Sequence, residues 1–274
     1  MTALYTDRLS VRPGETFQVH ASAKGLCQLE IARVGRNRVV VQTHVDIATA
    51  EYPIPTTADA EGCGWPSCLT VTVGDWASGY YDLLLTDADG QSARHFVCVR
   101  PAKGQTGSRA AIVLATNTYH SYNWWGGANA YSDVTSLMTG RKSFADAMDD
   151  AIGVLSTQRP FIPLIVGAPD DAPRLINLRK RGFEEQPFAA DYDWMIANGC
   201  SPYDGSAGFL NKWEHRFVEW AEGEGYALDY HTDYDLDAED DVLKDYSCAL
   251  FVGHSEYWSG RERDQIERLS LIHI

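Results

Sequence analysis

Cys248-Ala249-Leu250-Phe251-Val252 is an unbroken apolar run, and it leads directly into Gly253-His254-Ser255-Glu256-Tyr257-Trp258-Ser259. A short apolar run bounded by polar residues is typical of a strand that is buried on both faces, as parallel strands in α/β proteins are. Side chains two residues apart in extended backbone point to the same side. We therefore expect His254 and Glu256 to present an imidazole and a carboxylate together, where they could hold a metal ion.

A second buried strand is predicted earlier in the chain. Ala110-Ala111-Ile112-Val113-Leu114-Ala115 is also apolar throughout, and it ends in Thr116-Asn117-Thr118-Tyr119-His120-Ser121-Tyr122-Asn123-Trp124-Trp125-Gly126-Gly127. Ligands of open α/β sheets bind outside the carboxyl ends of the strands. We interpret this polar and aromatic stretch as a loop and expect it to lie beside His254 and Glu256.

The composition of the 274-residue chain excludes some functions. Its 23 Lys and Arg residues against 38 Asp and Glu residues give a net charge of −15, which repels nucleic acid and anionic membranes. The sequence has no apolar segment of about 18 residues, and its first residues lack the basic and apolar regions of a signal peptide. We therefore predict a soluble, cytoplasmic protein that is long enough for two domains.

Residues 1–100 are predicted to form an immunoglobulin-like β-sandwich. Short alternating segments separated by turns recur in this range, as in Thr16-Phe17-Gln18-Val19-His20, and no window shows a sustained helical period. The polar, Gly-rich residues 101–108 are typical of a linker. We expect the first domain to have a structural role, packed against or presenting a catalytic domain.

The following residues, 109–268, are predicted to form an α/β domain with a mostly parallel sheet. Residues 128–208 show little pattern, and we interpret them as a long insertion or lid. The other predicted elements are a helix near 143–153, a helix at 209–221 with a core-facing aromatic stripe, a strand at 226–230, a solvated acidic segment with a short helix at 233–246, and a helix at 260–269 capped by Ser259.

The six cysteines do not suggest a disulfide framework, and most are interpreted as buried thiols. Cys63 and Cys68 are the exception, because a short Gly/Pro loop could bring their sulfurs within bridging distance. A disulfide or a metal-binding loop is the alternative there, although two thiols are too few for a zinc site.

The end of the chain departs abruptly from the charged pattern before it. Residues 269–274 match the translation of a common sequencing adapter, so we predict a non-native tail on a truncated reading frame. The natural chain would continue the helix and add strands. We therefore expect the α/β domain to be incomplete and this fragment to be inactive.

Two motifs carry a resemblance to a known family. The stretches 116–127 and 253–259 resemble segments in the large subunit of bacterial N,N-dimethylformamidase and its relatives. The resemblance covers residues 108–268, although it is weak through the predicted insertion. Shorter motifs that follow the family's order lie at 209–214, 225–226 and 232–236.

The resemblance implies a hydrolase that cleaves the amide bond of a small N-substituted formamide. It implies a mononuclear ferric iron held by a tyrosine, a histidine and a glutamate, with metal-activated water attacking the carbonyl. Carried over by position, His254 and Glu256 are metal ligands and the expected catalytic residues, and Tyr122 is the tyrosine, with Tyr119 as the alternative. Phenolate and carboxylate oxygens suit Fe(III), and three ligands leave positions for water and substrate.

Other side chains are predicted to assist or replace these ligands. Asn123 and Ser255 could orient the ligands through hydrogen bonds. His120 and His231 are alternative ligands, and each is otherwise interpreted as a surface or loop histidine. The expected partners are a small amide substrate, a small accessory subunit as in the resembled enzyme, and further copies of this chain.

A different class of protein would also fit parts of the sequence. It is a non-catalytic module whose β-sandwich and Trp-rich loop bind a carbohydrate or another protein. A cysteine hydrolase is a weaker alternative, because Cys248 lies at the start of a strand, and no Gly-x-Ser-x-Gly motif is present. Metal content separates the alternatives, because only the metal-dependent hydrolase should purify with stoichiometric iron.

Overall fold

The computed structural model describes residues 1–131, 153–167, 207–210 and 213–272. All but the last residue of the helix predicted near 143–153 lies outside the described residues, as does most of the predicted insertion. The strands are β1 (Ala3–Thr6), β2 (Ser10–Val11), β3 (Thr16–Ser22), β4 (Leu26–Val34), β5 (Arg38–Ala48), β6 (Ser67–Thr72), β7 (Gly79–Thr86), β8 (Ser92–Val99), β9 (Ala110–Leu114), β10 (Asp229–Thr232) and β11 (Cys248–Leu250). The helices are α1 (Ala58–Glu61), α2 (Thr116–Tyr122), α3 (Pro163–Val166), α4 (Glu214–Gly223), α5 (Asp233–Ala238) and α6 (Gly260–Ile272).

The first hundred residues form two sheets that share one hydrophobic core. One sheet has the order β1-β3-β6, and the other has the order β2-β8-β7-β4-β5. In β3, Phe17, Val19 and Ala21 are buried at alternate positions, as expected for a strand with one face on a core. They pack in the same cluster as Leu29 and Val97 of the larger sheet.

The larger sheet is covered by apolar side chains on both faces. Tyr81 and Val97 are paired across β7 and β8 and face the first core, whereas Tyr80 belongs to a second cluster. That second cluster contains Ile112 of β9 and Tyr230 of β10. The first hundred residues and the following part of the chain therefore share a continuous interior.

The second part of the chain is built on a small parallel sheet with the order β10-β9-β11. Its central strand β9 is buried almost throughout, which explains the unbroken apolar run in the sequence. Each strand runs parallel to its neighbour, so their carboxyl ends lie at one edge. Helix α5 follows β10 directly, and a capping box between Thr232 and Asp235 sets its first turn.

The aromatic stripe predicted for a helix at 209–221 is confirmed in part, because Phe209 and Phe217 pack in the second cluster, but the helix is shorter and two of the four aromatics are exposed. The helix is α4, which begins only at Glu214, so Phe209 and Trp213 precede it. Val218 and Ala221 form the buried face of α4 together with Glu214, which turns Trp220 outward. The side chains of Trp213 and Trp220 are 49% and 55% exposed.

The acidic segment predicted as a solvated face also differs in the structure. Asp233 and Asp235, in the first turn of α5, are both buried. Asp235 accepts hydrogen bonds from the Thr232 amide and from Ser10, each at 2.8 Å, and pairs with Arg100 at 3.0 Å. Each of these contacts offsets the cost of burying a carboxylate.

The structure corrects or adjusts several other predictions. Cys63 and Cys68 are free thiols, so the bridged alternative is wrong. The first half of the stretch predicted as a loop after β9 is helix α2. The strand predicted at 226–230 begins three residues later, at Asp229, and ends at Thr232 as β10, and the helix predicted at 260–269 extends to Ile272 as α6.

The described residues are mostly β, with several sheets of which one is wholly parallel. The immunoglobulin-like topology, the boundaries 1–100, 101–108, 109–268 and 269–274, and the cytoplasmic location stay predictions. Among the helices that the structure describes, none has the length and apolar character needed to cross a membrane.

Candidate functional site

The candidate site lies at the carboxyl edge of the parallel sheet. Strand β9 leads into α2, whose last residue is Tyr122. The neighbouring strand β11 leads into the segment that carries His254 and Glu256. Because β9 and β11 run side by side in the same direction, the segments that follow them come together.

Three of the predicted site residues meet in the structure. The Tyr122 hydroxyl oxygen lies 3.1 Å from His254 Nε2 and 3.5 Å from Glu256 Oε2. His254 Nε2 and Glu256 Oε2 lie 2.9 Å apart, and their side chains are 38% and 39% exposed. The three polar atoms therefore converge at a place that solvent and a small substrate can reach.

The chemistry and spacing of these atoms fit a bound cation. Two ligands bonded to one ion at about 2.1 Å and at right angles lie about 3.0 Å apart, which is close to the separations within this group. A phenol, an imidazole and a carboxylate together form a donor set suited to iron. Within the described residues no group of three or more His, Cys, Asp or Glu side chains could hold a metal ion. A metal site in this group would therefore need a tyrosine as one of its ligands.

Tyr131 is a further member of the group that the sequence analysis missed. Its hydroxyl donates to Glu256 Oε2 at 2.6 Å. Its ring packs against that of Tyr122, with centroids 4.8 Å apart, and lies 6.3 Å from that of Tyr257. The sequence signal that could have identified Tyr131 is weak, because it consists of a second tyrosine in the loop that follows Tyr122.

Both phenols of the group are held neutral in the chain without a cation. Burial, and then the negative charge of Glu256, raise the pKa of Tyr122, against an opposing hydrogen bond from Tyr131. Burial and the hydrogen bond to Glu256 raise the pKa of Tyr131 well above its ordinary value. A nearby positive charge would reverse this balance, because it favours the phenolate form.

Two hydrogen bonds to neighbouring residues position the segment that carries His254 and Glu256. The Glu256 amide donates to Thr118 Oγ1 at 2.9 Å, and Asn117 Nδ2 donates to the Tyr257 carbonyl at 3.0 Å. Both supporting side chains come from α2, the helix that also carries Tyr122. One helix therefore sets the positions of all three donor groups, a role that the sequence analysis did not assign to Thr118 or Asn117.

The predicted helper residues have other contacts. Asn123 is fully buried and donates through Nδ2 to the Pro160 carbonyl at 2.9 Å. Ser255 Oγ accepts from Trp258 Nε1 at 2.7 Å. Both side chains stabilise the loops of the site, and neither of these contacts reaches a ligand directly.

The alternative ligands lie in the protein interior. The hydroxyl of Tyr119 donates to the buried carboxylate of Glu214. His120 and His231 are buried, which corrects their interpretation as surface or loop histidines, and burial lowers the pKa of each to about 3. His231 Nε2 lies 2.9 Å from the Tyr246 hydroxyl. The contacts described for these three side chains are with Glu214, Tyr246 and Phe161, and none is with Tyr122, His254 or Glu256.

The fold and the site define a β-rich protein in which a small parallel sheet presents tyrosine, histidine and glutamate side chains at one edge. The chain belongs to the family described as N,N-dimethylformamidase beta subunit-like, C-terminal, whose model matches residues 28–270. The match begins within the first sheets and is therefore longer than the resemblance predicted for residues 108–268.

Comparisons with individual proteins add little. Among curated proteins, none matches the sequence. A chain from a structure of T-cell activation by the bacterial superantigen toxic shock syndrome toxin-1 is 13% identical over 37% of this chain and 100% of its own, with a TM-score of 0.25. CopC from Methylosinus trichosporium OB3b is 14% identical over 39% of this chain and 100% of its own, with a TM-score of 0.24. Murine CRIg is 11% identical over 38% of this chain and 99% of its own, with a TM-score of 0.23. TM-scores this low do not define a common fold.

Proposed function

We propose that this protein is a metal-dependent hydrolase that cleaves the amide bond of small N-substituted amides, formamides among them. The observation that carries the proposal is the convergence of the Tyr122 hydroxyl, His254 Nε2 and Glu256 Oε2 at one accessible point. Membership of a family named after N,N-dimethylformamidase supports a hydrolase that acts on amides. A mononuclear ferric iron is the metal we propose, because oxygen donors of this kind are hard anionic ligands.

Tyr122, His254 and Glu256 would hold the metal. The Tyr131 hydroxyl donates a hydrogen bond to Glu256 Oε2 and would help to hold that ligand in place. A metal ion supplies Lewis acidity, which polarises the amide carbonyl and lowers the pKa of water. In the proposed reaction water adds to the carbonyl carbon, the C–N bond breaks, and the amine leaves with a proton. Glu256 would take a proton from water and return one to the amine through the carboxylate oxygen that does not hold the metal, and His254 would contribute to catalysis by holding the metal.

The surroundings of the site favour a small substrate with an apolar N-substituent. The rings of Tyr122, Tyr131 and Tyr257 lie side by side at the donor group, with successive centroids 4.8 Å and 6.3 Å apart. Aromatic side chains of this kind offer apolar contact area beside a polar centre. N-alkyl groups could pack on this aromatic surface while the carbonyl oxygen points to the metal.

The proposal extends to the assembly and the fold. The description of the family as beta subunit-like supports a protein that works with another subunit, and we propose that this chain is the large, catalytic one. A small accessory subunit and further copies of this chain are the partners we propose. We further propose that the first two sheets form an immunoglobulin-like sandwich that supports the catalytic part.

Metal analysis with a visible absorption spectrum tests the proposed function. We expect about one iron per chain, with a phenolate-to-iron band that disappears in Tyr122→Phe and iron that is lost in His254→Ala. Matched controls are Tyr234→Phe and His215→Ala, whose side chains lie outside the donor group and should leave the iron content unchanged. Folded protein without iron, after expression with iron available, would reject the metal-dependent hydrolase and favour the carbohydrate- or protein-binding module.

A further inference from the structure

Arg159 is the largest fully buried side chain among the described residues. Its guanidinium donates to four main-chain carbonyls and forms no ion pair with a carboxylate of the described residues. The hydrogen bonds run from Nη1 to Trp125 at 2.7 Å and to Ala128 at 3.5 Å, from Nη2 to Asn123 at 2.7 Å, and from Nε to Ser156 at 3.3 Å. Three of these four carbonyls belong to the turn 123–128.

A buried guanidinium that is bound to carbonyls is costly to maintain, although the negative charge of Asp59 offsets part of that cost. Removing a charge from water carries a desolvation penalty. In agreement with that cost, burial lowers the pKa of Arg159 to about 10. The planar fork of an arginine can bind several carbonyls in a fixed arrangement, which a lysine ammonium cannot reproduce.

Asp59, in α1, holds the same turn from its other side. Its Oδ2 accepts from the Ala128 amide at 2.7 Å, and its carbonyl accepts from the Ser156 amide at 2.8 Å. A Cβ on Gly127 would lie 2.9 Å from Asp59 Cβ, so this close approach requires glycine. The first part of the chain therefore contacts the loop of the candidate site directly.

The turn 123–128 joins the two tyrosines of the site. Tyr122 immediately precedes it and Tyr131 follows three residues after its end. Asn129 connects the two sides, because its Nδ2 donates to the Tyr122 carbonyl at 3.2 Å and its Oδ1 accepts from the Tyr131 amide at 2.9 Å. The conformation of this turn sets the distance between the two phenols.

We propose that Arg159 and Asp59 are positioning residues that hold the turn 123–128 so that Tyr122 and Tyr131 meet at Glu256. The Arg159 guanidinium binds carbonyls of the turn, and the Asp59 carboxylate accepts from the amide of Ala128, the last residue of the turn. The inference rests on the proposed metal site for its chemical consequence, but the bracing of the turn is a property of the chain itself. Both positioning residues lie outside the donor group.

The test compares Arg159→Lys and Asp59→Ala with Arg100→Lys and Glu61→Ala. Arg100 is also a buried arginine, but it pairs with carboxylates beside α5, and Glu61 is an exposed acid in the same helix as Asp59. Two readouts are taken on folded protein: amide hydrogen exchange across residues 124–131, and iron affinity with the position of the phenolate-to-iron band. We expect at least tenfold faster exchange and at least tenfold weaker iron binding with a shifted band in the first pair only.

Each outcome decides the inference. Unchanged exchange at 124–131 in Arg159→Lys and Asp59→Ala would overturn the inference. If the wild type binds iron, variants with the same iron affinity and the same band as the wild type would overturn it as well. If the wild type binds no iron, the proposed function fails and the exchange measurement alone decides the bracing role. If Arg159→Lys does not fold, Asp59→Ala carries the test of the turn, because Asp59 is only half-buried and its loss leaves the buried arginine in place.

Discussion

Replacing Glu214 by glutamine should flatten the dependence of the protein's stability on pH. The Glu214 carboxylate is buried and accepts hydrogen bonds from the Tyr119 hydroxyl and, at 3.2 Å, from the Ala115 amide. Burial raises its pKa to about 7, against an ordinary value of 4.5. The folded protein therefore binds this proton more tightly than the unfolded chain does. The resulting stabilisation is complete below about pH 4 and is lost as the pH rises through 7.

The difference between the two pKa values corresponds to on the order of 3 kcal/mol of unfolding free energy. Glutamine cannot ionise, and its amide can keep one contact with Ala115 and one with Tyr119. Urea unfolding from pH 4.5 to 8 should therefore show the wild type losing on the order of 3 kcal/mol relative to Glu214→Gln. Glu219→Gln, on the exposed side of the same helix, is the control. Parallel stability curves for wild type and Glu214→Gln would refute the reasoning.

Three further substitutions test the contacts that hold the site in place. Tyr131→Phe removes the 2.6 Å hydrogen bond to Glu256 and should weaken iron binding by about tenfold, measured by metal titration. Thr118→Val removes the acceptor of the Glu256 amide and should cost about 1–3 kcal/mol of unfolding free energy in urea. Gly127→Ala forces the new Cβ against Asp59 and should lower the unfolding free energy by about 1–3 kcal/mol in the same assay.

Each of these substitutions has a matched control. Tyr226→Phe changes an exposed tyrosine and should leave iron affinity intact. Thr70→Val lies at an exposed strand position, and Gly153→Ala places its Cβ in open space, so both should change stability by less than about 0.5 kcal/mol. An effect in a control equal to that in its partner would contradict the assigned contact.

The buried strand β9 and the pairing of His254 with Glu256 could be predicted from local pattern, whereas the burial predicted for 248–252 is wrong. Strand β11 lies at the edge of the parallel sheet, with Cys248 exposed and Ala249 and Leu250 half-buried. An unbroken apolar run needs only burial on both faces, which β9 shows. The expected two-residue alternation applies to the site only in part, because β11 ends at Leu250 and the two side chains lie on the segment that follows it. Their 2.9 Å separation therefore depends on the hydrogen bonds of that segment as well.

The remaining parts of the site depend on contacts between distant residues. Arg159 lies in the stretch interpreted as a patternless insertion, and its role is visible only once its carbonyl partners are known. Asp59 precedes Ala128 by 69 residues, and no local pattern predicts their contact. Asp233 illustrates the same limit, because its acidic neighbours in the sequence suggest exposure while the packing of α5 buries it.

The larger sheet, covered on both faces, has a consequence for synthesis on the ribosome. Its strands are complete when Val99 has been made, and the outer face presents Tyr80, Phe96 and Cys98. The side chains that cover this face extend as far as Tyr230, about 130 residues later. At typical elongation rates that interval lasts on the order of 10 s. During this time the nascent chain would carry an incompletely covered aromatic sheet face, the kind of surface that makes chains prone to aggregate during synthesis.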